Sequence, residues 1–455
     1  MNNISKKIIV SLLTVLLIFS FAACGNNEQG DTYVTAARTP NPTPKDLRGE
    51  ITISAYRSAK YDDSIMDYIS QIAFDYTGLE VVYDDNYTEE EYFSTLDSRI
   101  ASGEIGDIYI VRDDDVAKLA ESGKIIDLTD IASDFHDYSN NGYTKVELSE
   151  KVLPAAYQNA TYNGRIYMVP TEYYHKYVFI NYSMLRSAGI DEIPSDKWSW
   201  DEFVKYADAI SSVGGKIVMD YTDYAVWGSF AEGFGGQIFK TNEDGTVDYS
   251  KVNLTSGDVV NGLNKLVNFV KSHNVQKKFT GKDFSEIGLA IVDRFETGLW
   301  NNTDDQYTDW SIVDFDWDYM HMPRLDVHKN GAHTVGFVVK NSDETDEIKE
   351  LAANVALYSL FDNAAVAYVG DGQVVPANKE VSSMKFWREW PVKGKNTSVF
   401  TSYETADFGA CKTANLNLAA ASQFNVGQAV EQAVGGGNLA GSLQTIQNAV
   451  NAAIK

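Results

Sequence analysis

YNGRIYMVPTEYYHKYVFINYSMLRSAGIDEIPSDKWSWDEF, residues Tyr162 to Phe203, is the stretch whose reading decides the fold. Asn163-Gly164 is a tight-turn pair, and Arg165 to Val169 alternates as a half-buried strand. Pro170, which has no N–H to give to a ladder, is expected to end that strand. Thr171, Glu172, Tyr173, Tyr174 and His175 then read as a polar and aromatic insert before a second β-rich run, Tyr177 to Asn181. A short helix, Ser183 to Ala188, closes at Gly189. Ser199-Trp200-Asp201-Glu202 has the spacing of a capping box: the Ser199 hydroxyl serves the Glu202 amide, and Phe203 opens the apolar face of a new helix.

Upstream, strands over Glu50 to Tyr56, Leu79 to Tyr83 and Ile108 to Val111 alternate with a helical pattern at Ile65, Ile69, Ile72 and Phe74 and an amphipathic helix at Glu89 to Ser102. Such alternation predicts an α/β lobe. Downstream the chain turns helical over Trp200 to Ser212, Asp220 to Phe234 and Gly257 to His273. An apolar strand, Ile287 to Val292, follows, and Asp293 to Trp300 turns into a helix. Helices are expected again at Glu344 to Phe361, Asn415 to Val434 and Asn438 to Ile454. Asp314 to Asp318 lacks the sixth-position glycine and twelfth-position glutamate of a calcium loop and reads as a strand. Gly435-Gly436-Gly437 follows no strand, so it is a helix break and not a dinucleotide loop.

The chain's 455 residues exceed one typical core and predict two or three. Its formal charge of −26 argues against nucleic acid, whose phosphates demand a basic surface. Lys6-Lys7 and the apolar run Ile8 to Ala23, ending in Phe21-Ala22-Ala23-Cys24-Gly25, have the layout of a secretory leader. That run is shorter than the ~20 residues that span a bilayer. Cleavage after residue 23 leaves Cys24 first and Cys411 as the other cysteine, so no intrachain disulfide is expected in the mature chain. Residues 24–49, with Pro40, Pro42 and Pro44 at alternate positions, read as an extended tether.

The order of NG turn, strand, proline, aromatic insert, strand ending in Asn, AGI and a Trp-Asp-Glu-Phe helix start resembles the family 1 extracellular solute-binding proteins of bacterial ABC importers. Ala101-Ser102-Gly103 with Asp107 before a strand, Gly235-Gly236 with Asp244-Gly245, Gly298-Leu299-Trp300 and Met322-Pro323 extend the resemblance across residues 50 to 455. Gly106 stands where the family usually has proline. Cys24 resembles the lipid-bearing cysteine of a bacterial lipobox, with Phe21 in place of the common leucine.

The resemblance implies an α/β, two-lobe periplasmic-binding-protein (flytrap) fold with a three-segment hinge near Pro170, Val292 and Val335. Lobe 1 would hold 50–171 with about 293–332, and a helix-rich lobe 2 about 172–292 with 333–455. The implied partners are a mono- or oligosaccharide, ABC permease subunits and the membrane through a lipid on Cys24. A monomer with no cofactor, metal or catalytic residue is expected. Trp300 is implied as the floor of the sugar site, joined by Trp227 and Tyr224 on one helix face and by Tyr173, Tyr174 and Glu172 from the first crossing. Ligands of open α/β sheets bind beyond the carboxyl ends of the strands, where Tyr56, Arg57, Asp84, Arg112 and Asp113 stand. Carboxylates and guanidinium groups there suit vicinal hydroxyls. Asp114 or Asp115 is the expected cap of the helix that follows. Two alternatives remain open on sequence: a surface glycoside hydrolase, since carboxylates abound, and a receptor feeding a sensor.

Overall fold

The computed structural model describes residues 49–56, 70, 74, 78–137, 144–192, 197–243, 247–281, 283–293, 297, 300, 313–327, 329–360, 375–383, 394–400, 407–409 and 416–454. The leader, Cys24, the tether as far as residue 48, Arg57, Gly298 and Cys411 lie outside these residues.

Three parallel strands open the chain: β1 (Glu50–Ser54), β2 (Glu80–Asp84) and β3 (Ile108–Arg112), with β1 in the middle. Helix α1 (Glu89–Ser102) links β2 to β3. Thr88 and Glu91 close its first turn as a capping box, and Gly103, at φ 82°, ends it in the left-handed conformation glycine tolerates. Tyr92 carries this helix's grip on the sheet. Its buried hydroxyl lies 3.1 Å from the Ser54 carbonyl and 3.0 Å from the Ile110 N–H, so it donates to β1 and accepts from β3. Helix α2 (Asp113–Glu121) follows β3 directly.

Strands β4 (Val169–His175) and β5 (Tyr177–Asn181) are separated by Lys176 alone, yet they belong to different sheets. The second half of the chain adds α3 (Trp200–Ser212), β6 (Lys216–Met219), α4 (Tyr224–Gly233), α5 (Gly257–His273), β7 (Ile287–Val292) and β8 (Trp317–Met320). Then come β9 (Lys329–Val339), α6 (Asp346–Tyr358), β10 (Val375–Pro376), β11 (Asp407–Gly409), α7 (Val426–Val434) and α8 (Leu439–Ala453). One seven-stranded sheet runs β10-β4-β9-β3-β1-β2, with β11 also on β9; a four-stranded sheet runs β6-β7-β5-β8. Every residue of β5 is buried, and its alternation feeds two cores. Tyr177 and Phe179 join the core beneath the large sheet, while Val178 and Ile180 join the one formed with α3, α4 and α5.

The structure corrects several expectations. Pro170 does not end a strand. It sits inside β4, opposite Gly336, where the pairing with β9 slips between Val335 and Gly336. A residue without an N–H is tolerated where a bulge interrupts the ladder. Thr171 to His175 is therefore strand and not insert, and the NG turn joins only the two-residue strands Thr161–Tyr162 and Arg165–Ile166. The chain passes from the large sheet to the small one at Lys176, and returns between Met320 and Lys329. Residues 333–339, assigned to the helix-rich lobe, pair with β3 and β4, and residues 317–320, assigned to the first lobe, pair with β5. Strand β9 is a crossing, but it enters the large sheet. The helix expected over Asn415 to Val434 is broken into Leu418–Ala421 and α7. Neither Asp114 nor Asp115 caps α2, whose N-cap is Arg112 without a side-chain bond.

Gly336 explains why β9 can lie so close to β4: a Cβ there would stand 2.2 Å from the Val169 carbonyl oxygen and 2.9 Å from Pro170 Cα. Gly336→Ala should cost about 1–3 kcal/mol of stability in urea denaturation. Gly257→Ala, where a Cβ meets nothing within 4 Å, should leave stability unchanged or raise it by up to about 1 kcal/mol.

Candidate functional site

Where the two sheets meet, five segments separated in sequence bring ionisable side chains together. Asp113 opens α2 and is fully buried. Asp223 is the N-cap of α4, its carboxylate accepting from the Ala225 amide at 2.8 Å. His333 lies on β9 between them. Its Nδ1 is 3.3 Å from Asp113 Oδ1 and its Nε2 2.9 Å from Asp223 Oδ1, so the ring bridges two carboxylates. Asp113 Oδ2 accepts from the Thr334 amide at 3.0 Å. Lys176, the residue between the sheets, is buried and reaches Asp223 Oδ2 at 3.0 Å and Asp293 Oδ2, just beyond β7, at 3.1 Å.

Both Asp113 and Asp223 stand at helix N-termini, where the helix dipole favours an anion. Burial alone would strip His333 of its proton, but the carboxylates of Asp113 and Asp223 override it and hold the imidazole well above its usual range. Asp223 shows the same contest: burial raises it, Lys176 and His333 lower it further, and it ends well below the ordinary carboxylate range. Burial pushes Asp113 up, with His333 opposing. The cluster is thus an ion network spanning the junction. Asp113, Asp114 and His333 offer ligand atoms within 4.8 Å of one another. They do not suit a metal, because both imidazole nitrogens already face carboxylates and one Asp113 oxygen holds a backbone amide.

A band of rings is packed inside the first core. Phe179 meets Trp300 edge-on at 4.8 Å and Trp317 at 5.2 Å, and Tyr177 meets Tyr319 and Phe400 at 5.1 and 4.8 Å. His175 contacts the Val399 carbonyl through Nε2 at 2.8 Å. Its burial pushes it down to about 4, so the ring is neutral and Nε2 carries the donated hydrogen.

The residues expected to hold ligand are distributed differently from the expectation. Trp300 is 8% exposed, its described ring partners are Phe179 and Phe284, and it belongs to the first core. Trp227 is buried against Tyr224 and Phe424 in the second core. The two tryptophans therefore do not converge on one surface. Tyr56 is fully buried against Tyr92 and Phe93, and Tyr173 is fully buried beside His175. Asp84 is engaged with Arg99 and with the Ser54 hydroxyl, and Arg112 lies 3.9 Å over the Phe93 ring and pairs with Glu89. Those polar ends of strands serve the first lobe internally. Glu172 is buried and accepts from the Tyr174 hydroxyl. Tyr174 and Tyr224 are partly exposed, and Tyr224 stands edge-on to His333 at 6.1 Å. Asp113, Tyr224 and Tyr174 are the expected residues that the structure brings to the junction. His333, Asp223, Lys176 and Asp293 were missed. Their partners are not sequence neighbours, and lie as far as 220 residues away; the usable hint was an aspartate opening each of two helices.

A family model described as bacterial extracellular solute-binding protein matches residues 68–393. The galactooligosaccharide-binding protein of Bacillus subtilis (strain 168) is 18% identical over 390 residues, 84% of this chain and 83% of its own. Among solved structures, an ABC substrate-binding protein from Listeria monocytogenes in complex with cycloalternan superposes with a TM-score of 0.66 at 17% identity, covering 89% of this chain and 98% of that one. The cyclic alpha-maltosyl-1,6-maltose binding protein from Arthrobacter globiformis gives 0.66 at 17%, covering 90% and 99%. These likenesses establish the fold, an α/β architecture of two lobes, as the sequence led us to expect.

Burial among rings makes Trp300 a structural residue in this arrangement. Trp300→Ala should lower stability by about 3–5 kcal/mol in thermal or urea melts. A small loss of stability would show instead that the ring faces an open cleft.

Proposed function

Because the chain belongs to the family of bacterial extracellular solute-binding proteins, we propose that it captures a carbohydrate between its two lobes and delivers it to the permease of an ABC importer. The observation that carries this reading is the junction itself. Two crossings, at Lys176 and ahead of β9, bring a polar network to the junction of the two lobes, with the partly exposed rings of Tyr174 and Tyr224 beside it. Aromatic faces suit the apolar faces of sugar rings, and ionised side chains suit their hydroxyls. Tyr224 and Tyr174, the partly exposed rings at that junction, are the first candidates for stacking, with Glu172 and Asp113 behind them. Ligand makes contacts with both lobes only when they are closed, which shifts the population to the closed form that the permease reads. The similar proteins whose ligands are named bind saccharides, most of them oligosaccharides and one alpha-D-tagatose, which favours a saccharide over other solutes.

A thermal-shift panel of mono- and oligosaccharides tests this directly. A cognate sugar at about 100 times its dissociation constant adds ~2.7 kcal/mol of stability and raises the melting temperature; a panel without a single shift would count against a sugar ligand. With that sugar, Tyr224→Ala should weaken affinity severalfold, the loss of about 1 kcal/mol expected for one stacked ring.

The anchoring part of the proposal rests on the Phe21-Ala22-Ala23-Cys24 leader end. Among the described residues no helix is long and apolar enough to cross a membrane. A lipid on Cys24 would hold the protein on the outer face of the cytoplasmic membrane. Cys24→Ala should release the protein from the membrane fraction of its native host, and unchanged retention would rule the lipid anchor out.

A further inference from the structure

Strand β9 lies in the large sheet along its whole length, and its first part also rests on a second body, α4. Residues 335–339 pair with β3 of the large sheet. Two residues before His333, the Gly331 amide donates to Ser229 Oγ of α4 at 3.0 Å, and the strand runs so close that a Cβ on Gly331 would lie 2.5 Å from Ala225 Cα. His333 stands between these attachments, one nitrogen on Asp113 of the large-sheet lobe and the other on Asp223 of the helix-rich lobe. Any rotation of α4 against the large sheet must stretch one of those two bonds.

We propose that His333 is a positioning residue for lobe closure, a proton-dependent pin whose imidazolium ties the two lobes through Asp113 and Asp223 in the closed form and lets go of one of them in the open form. The inference rests on the reading that the lobes close over a ligand.

The surroundings give the pin its sign. From α2 the ring faces Asp113, with Asp114 nearby; from α4 it faces Asp223 and Tyr224; Tyr174 of β4 is its cross-strand neighbour. The cation Lys176 sits across Asp223, and Asp293 beyond it draws that cation away. Carboxylates therefore dominate, and they raise the imidazole's hold on its proton in the closed form. An opened form, with one carboxylate withdrawn, holds the proton less tightly, nearer the ordinary imidazole value of about 6.5. The bridge is thus fully present below about pH 6.5 and is lost as the pH rises through the raised, closed-form value. Closure takes up a proton in that window.

Small-angle scattering of the full-length mature protein without ligand, at about pH 6.5 and about pH 9, tests the pin. The wild type should be more compact at the lower pH, and His333→Gln should have one radius at both. An unchanged wild-type radius overturns the proposal, as does a His333→Gln variant that keeps the pH effect. Should that variant fail to fold, the wild-type comparison decides, supported by the ring signals of histidine-labelled protein, in which His333 must lose its proton over the same pH range as the radius grows. A galactooligosaccharide mixture added at each pH separates this from the functional reading. Compaction by sugar without any pH effect keeps sugar capture and removes the pin. A pH effect without response to this or any other sugar of the panel keeps the pin and removes the sugar.

Discussion

Strand β9 has to satisfy neighbours along both edges, and that constraint organises the rest of the molecule. On one edge it pairs with β3, on the other with β4, so it is the seam that makes a single sheet out of an early βα segment and a late return. The cost of the seam is visible in its chemistry. Pro170 cannot donate, so the pairing slips beside it, and Gly336, having no side chain, leaves the room that the backbones need where they press together. Because β4 is followed after one residue by β5 of the other sheet, fixing β9 on β4 also fixes where the second core begins. The position of His333 follows from the same geometry: it is the part of the seam that faces both helix N-termini.

What the sequence disclosed well was local. The capping box at Ser199, the span of α1, α3 and α5, and the buried runs of β5 and β7 follow from short-range rules that need no partner. The same rules misread Pro170, since a proline normally terminates a strand and only tertiary pairing reveals the bulge that accepts it. The lobe boundaries failed for a related reason. Alternation shows that a segment is a strand but not which sheet takes it, and Trp317–Met320 and Lys329–Val339 each pair with a strand more than a hundred residues upstream.

The site was the least legible part. Asp84 looked like a free carboxylate at a strand end because Arg99, its partner, sits on the next helix, where the sequence gives no sign that it turns inward. Trp300 and Trp227 looked like ligand platforms because an aromatic ring reads the same in a core as in a cleft. Only the packing of Phe179 and Phe284 on one, and of Phe424 on the other, tells them apart. His333 carried no local mark at all, since Asp113 and Asp223 reach it from 220 and 110 residues away.

Why a histidine stands at that position follows from the shape of the donors. The chain carries a formal charge of −26, so cations are scarce and each one placed inside does more than neutralise a neighbour. An imidazolium is flat and rigid, and its two N–H groups point to opposite sides, so it can join two carboxylates that approach from different bodies without coiling a long stem between them. Lysine carries its three donors on one nitrogen at the end of a flexible chain. That suits Lys176, which has to reach past the backbone turn between β4 and β5 to Asp223 and Asp293, but it would tolerate movement of either partner and so transmit less of it. A rigid bridge does the reverse: it converts a small rotation of α4 into the loss of a short contact. It also makes the contact conditional on a proton, because an imidazole, unlike an ammonium, gives up its charge near neutral pH unless carboxylates hold it. Two helix N-termini each favour the carboxylate they carry, and Lys176 shares with His333 in holding the charge of Asp223, whereas buried Asp113 relies chiefly on the imidazolium, so opening the bridge on that side favours its protonation.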